Sequence, residues 1–280
     1  MNQNKIFDIL SLPEDTESAV RSAILKNSVK SASKTAYCGE APDFSLCKKM
    51  PLTRLSAVIL LLCEKYDEYA AMGVPEKVIA ETFRDVTLRA NLYKEKTGKT
   101  GISKDDVIWF RHIMNLKIFK IGSIQFQPFN MLYLDDEFLG EPYMTFSSEQ
   151  KTKLPAGASV INCHIPCGAD LSAKAVKSSF DDASVLFQKL FPNEKFKAFI
   201  CYSWLLFPDM VNHLPKNSKI KAFAKNFKII GRVQDNEQAF EYLFKKACKR
   251  PSKRLCKTFL QSLAAENPKL FGFACGIICL

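Results

Sequence analysis

Val160-Ile161-Asn162-Cys163-His164-Ile165-Pro166-Cys167-Gly168-Ala169-Asp170-Leu171-Ser172 and, further on, Phe199-Ile200-Cys201-Tyr202-Ser203-Trp204-Leu205 frame the part of the chain that decides the fold. Residues 160–165 form a short apolar run that reads as a strand. Gly168 suits a tight turn after it. Asp170-Leu171-Ser172 offers side-chain acceptors for a helix start, and Val176, Phe180, Ala183, Phe187 and Leu190 then recur at helical steps. Pro192 ends that helix, and residues 199–205 make a second apolar strand. Strand, turn, amphipathic helix and strand constitute a βαβ unit, whose strands should run parallel.

Upstream, the grammar is helical. Pro13-Glu14-Asp15 opens a helix reaching about residue 27, with acids where a helix N-terminus favours them. Leu55, Ile59, Leu62, Tyr66 and Tyr69 fall on one helical face. Ile79, Phe83, Val86, Ala90 and Tyr93 repeat the pattern behind Pro75, and Gly98 is placed to stop it. Ser103-Lys104-Asp105-Asp106 resembles a capping box and opens a helix to about residue 116. After Gly122 the period changes, with short strands expected at 124–126 and 131–133 and a polar loop at 147–157. Beyond the βαβ unit come a helix at 217–227, a strand at 227–231, helices at 237–249 and 255–266, and a terminal segment from 270. The expected domains are 1–122 and 123–280.

Composition narrows the classes. A chain of 280 residues, 47% hydrophobic and 25% charged, can fill real cores, and its 22 Phe argue against disorder. No apolar run approaches the roughly 20 residues of a membrane span. The first residues lack the basic, apolar and small-residue regions of a signal peptide, so the expectation is a cytoplasmic protein with reduced thiols. A formal net charge of +11 favours a polyanionic partner, whether nucleic acid, a membrane surface or a phosphate-rich cosubstrate.

Three blocks in order carry a resemblance. The first is Tyr93-Lys94-Glu95-Lys96-Thr97-Gly98, with Trp109-Phe110-Arg111-His112 and Phe119-Lys120-Ile121-Gly122-Ser123-Ile124-Gln125-Phe126. The second is His164-Ile165-Pro166-Cys167-Gly168 with Leu171 and the helix behind it. The third is Cys201-Tyr202-Ser203-Trp204-Leu205-Leu206 with Leu214-Pro215-Lys216-Asn217-Ser218 and Phe223. Together they resemble acyltransferases that pair an N-acyltransferase N-terminal domain with a GNAT-like C-terminal domain. The chain departs from that pattern at Ala169, where the family has a second glycine, and at Tyr202, where it often has histidine.

The resemblance implies an α+β fold: a helical bundle, then a GNAT-like α/β domain with a mixed central sheet. It implies acyl-CoA, acetyl-CoA foremost, as cosubstrate, and an amine acceptor attacked directly in a ternary complex. The diphosphate would rest on the loop Ile165, Cys167, Gly168, Ala169, Asp170, Leu171 and Ser172, where a helix start supplies partnerless N–H groups and partial positive charge. The Gln/Arg-x-x-Gly-x-Gly/Ala signature usual in GNAT enzymes is missing there, and Asp170 adds an anion. A capped turn with no ligand is the plainer alternative.

For the reaction, His164 is the candidate base, since an imidazole titrates near pH 6.5. Tyr202 is the candidate acid for the departing thiolate, and Ser203 completes the candidate set. Each has a plain structural alternative in packing or strand termination. Asn162 and His164 share one strand face, and Ile161, Cys163 and Ile165 the other. That alternation argues against zinc at Cys163-His164-x-x-Cys167, and no metal is expected. Apolar neighbours argue against nucleophilic Cys163 or Cys201. Two rival functions remain: a non-catalytic binder of CoA or a related phosphate ligand, and a nucleic-acid-binding module using Lys245, Lys246, Lys249, Arg250, Lys253, Arg254 and Lys257.

Overall fold

The structure is a computed structural model of the chain, and it describes residues 3–135, 143–244, 254 and 256–280. The chain divides into two compact units, Met1–Ile121 and Gly122–Leu280.

The first unit contains α1 (Gln3–Leu10), α2 (Glu14–Ile24), α3 (Asn27–Lys34), α4 (Pro51–Ala71), α5 (Glu76–Thr97), α6 (Lys104–Met114) and β1 (Phe119–Ile121). Pro51 occupies the first helical position of α4, where its missing N–H costs nothing. Gly98 ends α5 at φ 70°, and its N–H donates to the Lys94 carbonyl. The capping box of α6 is formed: Asp106 N–H donates to Ser103 Oγ at 3.0 Å, and Ser103 N–H to Asp106 Oδ2 at 2.8 Å.

The expected faces of α4 and α5 are buried, from Leu55 through Tyr69 and from Ile79 through Ala90, with Tyr93 half-buried. Each large side chain so buried contributes about 1.5–3 kcal/mol. Tyr69 sits edge-on to Phe83 at 5.7 Å and donates to the Ile118 carbonyl at 3.0 Å. Helices α1 and α3 were not anticipated by the pattern.

The second unit holds β2 (Ile124–Asn130), α7 (Ser148–Lys153), β3 (Ser159–His164), α8 (Ala173–Leu190), β4 (Ala198–Ser203), α9 (Pro208–His213), α10 (Lys219–Ala224), β5 (Lys228–Val233), α11 (Glu237–Phe244), α12 (Phe259–Glu266) and β6 (Phe273–Cys279). Its strands lie in the order β2-β3-β4-β6-β5. The βαβ unit is present, with β3 and β4 parallel and the other pairs of this order antiparallel, so the sheet is mixed.

One sheet face packs on α8 through aromatic edges, with Phe126–Phe180 centroids 5.5 Å apart and Phe180–Phe199 4.8 Å. Val160, Ala198, Ile200, Cys275 and Ile277 point to the opposite face, into a core with Met131, Tyr133, Met144 and Phe146.

Several boundaries differ from expectation. Residues 131–133 are irregular rather than a strand; Met131 and Tyr133 are buried, and the Tyr133 hydroxyl donates to the Leu154 carbonyl at 2.6 Å. The expected polar loop contains α7, started by Ser147 Oγ accepting from Gln150 N–H. The second strand stops at Ser203, because Ser203 Oγ accepts from Leu205 N–H and turns 204–206 into a 3-10 helix. The terminal segment supplies β6, paired between β4 and β5.

Candidate functional site

The parallel pair β3/β4 is in register only at Ile161–Phe199 and Asn162–Ile200. Both strands continue, β3 to His164 and β4 to Ser203. Their C-terminal halves thus leave main-chain groups outside the β3–β4 ladder, at the end where the turn into α8 begins.

In that turn Ala169 N–H donates to the Pro166 carbonyl at 3.2 Å, and Gly168 takes φ +77°. A Cβ at Gly168 would meet nothing within 4 Å, so conformation rather than crowding demands glycine. Ser172 is the N-cap residue of α8, yet it makes no side-chain cap hydrogen bond. The first-turn N–H groups of this 18-residue helix therefore have no side-chain acceptor, and the helix end carries partial positive charge. Ala173 and Lys174 are exposed there.

Asp170 does not cap these groups. Its Oδ1 accepts from Ser172 N–H at 3.1 Å, its Oδ2 from the Ser172 hydroxyl at 2.9 Å, and Lys219 Nζ lies 2.8 Å from Oδ1. Lys219 first, then Ser172, holds the Asp170 carboxyl down at about 2. The carboxylate that the sequence sets beside an anion site is thus matched by a lysine. Of the remaining loop residues, Ile165 is half-buried, Cys167 exposed and Leu171 buried.

His164 is half-buried on the sheet face opposite α8, and its Nε2 lies 2.9 Å from Gln127 Oε1. The register of β2 on β3 pairs Gln125 with His164 and Gln127 with Asn162. Paired residues of an antiparallel ladder share a face, so Gln125, Gln127, Asn162 and His164 form one polar row beside an otherwise apolar core. Gln125 is 2% exposed, and its Nε2 has no hydrogen-bond partner. Sequence reasoning missed both glutamines. The signal is the alternation Ile124-Gln125-Phe126-Gln127, with Phe126 facing α8.

Tyr202 lies on this face too, but its hydroxyl donates to the Leu132 carbonyl, and its ring stacks on Phe273 at 6.3 Å. Burial, reinforced by Cys275, pushes its phenol far above the ordinary value of 10. Ser203 is buried with its hydroxyl engaged at the strand end. Burial likewise raises the thiols of Cys163 and Cys201, keeping both protonated and inert. The described cysteines are all free, and among the described residues no three metal-binding side chains cluster. Of the basic run, Lys245, Lys246, Lys249, Arg250 and Lys253 lie outside the described residues. No helix among the described residues is long and apolar enough to cross a membrane.

Comparison with known proteins yields two family matches and a set of folds. Residues 118–268 match the GNAT-like C-terminal domain, and residues 3–116 the N-acyltransferase N-terminal domain. An acyltransferase solved in complex with decanoyl-CoA and teicoplanin superposes with TM-score 0.73 at 15% identity, covering 99% of this chain and 87% of that one. A mutant acyltransferase in complex with octanoyl-CoA gives the same values. An acyltransferase in complex with decanoyl-CoA gives 0.70 at 17% identity, with the same coverage. No curated protein sequence matches. At such identities the structural likeness speaks for the fold.

Proposed function

The chain belongs to the family that joins an N-acyltransferase N-terminal domain to a GNAT-like C-terminal domain, and on that premise we propose that it transfers an acyl group from acyl-CoA to an amine. One observation carries the reading: the uncapped start of α8, reached through the positive-φ turn at Gly168, stands where the ladder between β3 and β4 has ended. The first-turn N–H groups there suit the CoA diphosphate, with the exposed Lys174 supplying nearby positive charge and Lys219 neutralising the Asp170 carboxylate. The unladdered main chain of β3 and β4 suits the amide groups of a pantetheine arm.

In the reaction the amine nitrogen attacks the thioester carbonyl, a C–N bond forms, the C–S bond breaks and CoA leaves as thiolate. The attacking nitrogen must lose a proton, and His164 is the group on this face suited to take it. Gln127 Oε1 can only accept, so it fixes the proton of neutral His164 on Nε2 and leaves Nδ1 as the basic nitrogen. Tyr202 would serve the thiolate only by releasing Leu132. Ser203 holds the strand end.

The solved relatives hold decanoyl-CoA, octanoyl-CoA or CoA, and two of them hold teicoplanin or 10C-teicoplanin. The donor class proposed here is acyl-CoA of short or medium chain, and the acceptor class a primary amine. The test is mass-spectrometric detection of amide product from acetyl-, octanoyl- and decanoyl-CoA against a panel of amines. Product that vanishes in His164→Gln supports the reading. Saturable CoA binding with no product across the panel would favour a non-catalytic binder.

A further inference from the structure

The first unit contains a cleft of about 310 Å³ bordered by Tyr37, Phe44, Leu61, Lys65, Arg111, Met114 and Asn115. That volume lies at the lower end of the roughly 300–1,000 Å³ found for small-molecule sites. Three pieces of structure build it. On α4, Leu61 and Lys65 stand one turn apart. On α6, Arg111, Met114 and Asn115, the last at the C-cap, follow the same three- and four-residue spacing. The third wall is Tyr37, set edge-on to Phe44 at 5.1 Å and anchored by its hydroxyl donating to the Val107 carbonyl at 3.2 Å.

The two cations of the cleft differ. Lys65 Nζ lies 2.8 Å from both Glu68 carboxylate oxygens, so its charge is already matched. Arg111 is half-buried, and no carboxylate or other acceptor engages its guanidinium among the described residues. A guanidinium partly withdrawn from water and unmatched in charge favours an anion, and its planar fork fits a carboxylate with two parallel hydrogen bonds. Phe44 and Met114 are buried and Leu61 is half-buried, which gives the cleft an apolar floor beside its unmatched cation, Arg111.

We infer that this cleft binds a small amphipathic monocarboxylate, with the carboxylate on Arg111 and the apolar body against Phe44, Leu61 and Met114. Arg111 belongs to the sequence block that carries the family resemblance, but the acyl-transfer chemistry above does not use it. The inference therefore does not depend on that reading.

The experiment is thermal melting and calorimetric titration of the full chain with benzoate, octanoate and inorganic phosphate at matched ionic strength. Wild type is compared with Arg111→Met, Arg111→Lys and Leu61→Asn, and circular dichroism confirms that each variant folds. The expected result is saturable binding of at least one carboxylate, weakened tenfold or more in Arg111→Met and in Leu61→Asn, and partly kept in Arg111→Lys. Binding of acyl-CoA should be unchanged in all three, which keeps the fate of this proposal apart from that of the transfer reaction. Failure of both carboxylates to bind, equal binding by Arg111→Met, or phosphate binding as tightly as the carboxylates would overturn it.

Discussion

Nε2 of His164 and Oε1 of Gln127 lie 2.9 Å apart across the antiparallel β2–β3 pair, on the sheet face opposite α8. If His164 is the base, replacing it with glutamine lowers the acylation rate by about 10²–10⁴. Gln127→Glu is the sharper test. A carboxylate in contact with the imidazole favours its charged form, so the acidic limb of the rate profile should move up by about 1–3 pH units. A pH–rate series on both variants checks it, and an unmoved limb in Gln127→Glu would place the base elsewhere.

Gly168 sits at φ +77°, and a Cβ added there would meet no atom within 4 Å, so strain and not collision sets the effect of substitution. Gly168→Ala should cost about 1–2 kcal/mol, the usual penalty for a side chain in the left-handed region. Urea denaturation measures that cost. Because the strain falls where the main chain turns into α8, CoA affinity should drop beyond what the lost stability explains.

Tyr202 donates its hydroxyl to a backbone carbonyl, that of Leu132, in a mostly apolar core. Tyr202→Phe orphans that acceptor and should lower stability by about 1–3 kcal/mol. With the proton committed to Leu132, turnover per folded molecule should change little. A hundredfold fall in kcat without a matching fall in stability would instead make Tyr202 the acid for the thiolate.

His112 gives a pH signature in the first unit. Burial, with the charges of Arg111 and Lys117 adding to it, depresses its pKa from 6.5 to about 4. A depressed histidine binds its proton more readily when unfolded. Its contribution is therefore complete above pH 6.5 and erodes as pH falls toward 4. Discounted for its partial exposure to solvent, the loss is about 1–2 kcal/mol. Chemical denaturation at pH 7 and pH 4.5 should show it, and His112→Gln should flatten that part of the difference.

The parts of the fold that were legible are those where one periodicity dominates. The apolar steps of α4, α5 and α8 predicted which side chains are buried, and β3 and β4 flank α8 in parallel as a βαβ unit requires. Strand β6 was not legible, because Phe273-Ala274-Cys275-Gly276-Ile277-Ile278-Cys279 places a glycine mid-strand, where it ordinarily weakens pairing. The assembled fold supplies the reason: a Cβ at Gly276 would come within 2.9 Å of Phe227 and 3.0 Å of Leu206.

The site shows the same division. The Gly168 turn and the face of His164 followed from local pattern. Gln125 and Gln127 could be joined to His164 only through the β2–β3 register, a long-range pairing that no local spacing encodes. The commitments of Tyr202 to Leu132 and of Asp170 to Lys219 are likewise tertiary.

The proposed role of the start of α8 is to hold the diphosphate of acyl-CoA. It is tested most directly by thermal melting with decanoyl-CoA, acetyl-CoA, free CoA, ATP and a short oligonucleotide at matched ionic strength, for wild type and Gly168→Val. A ligand confined to the folded state raises stability by about 2.7 kcal/mol at a hundredfold excess over its Kd. Wild type should show a shift specific to CoA compounds, and a folded Gly168→Val should lose it. A shift with the oligonucleotide alone, or a CoA shift untouched by the substitution, would contradict it.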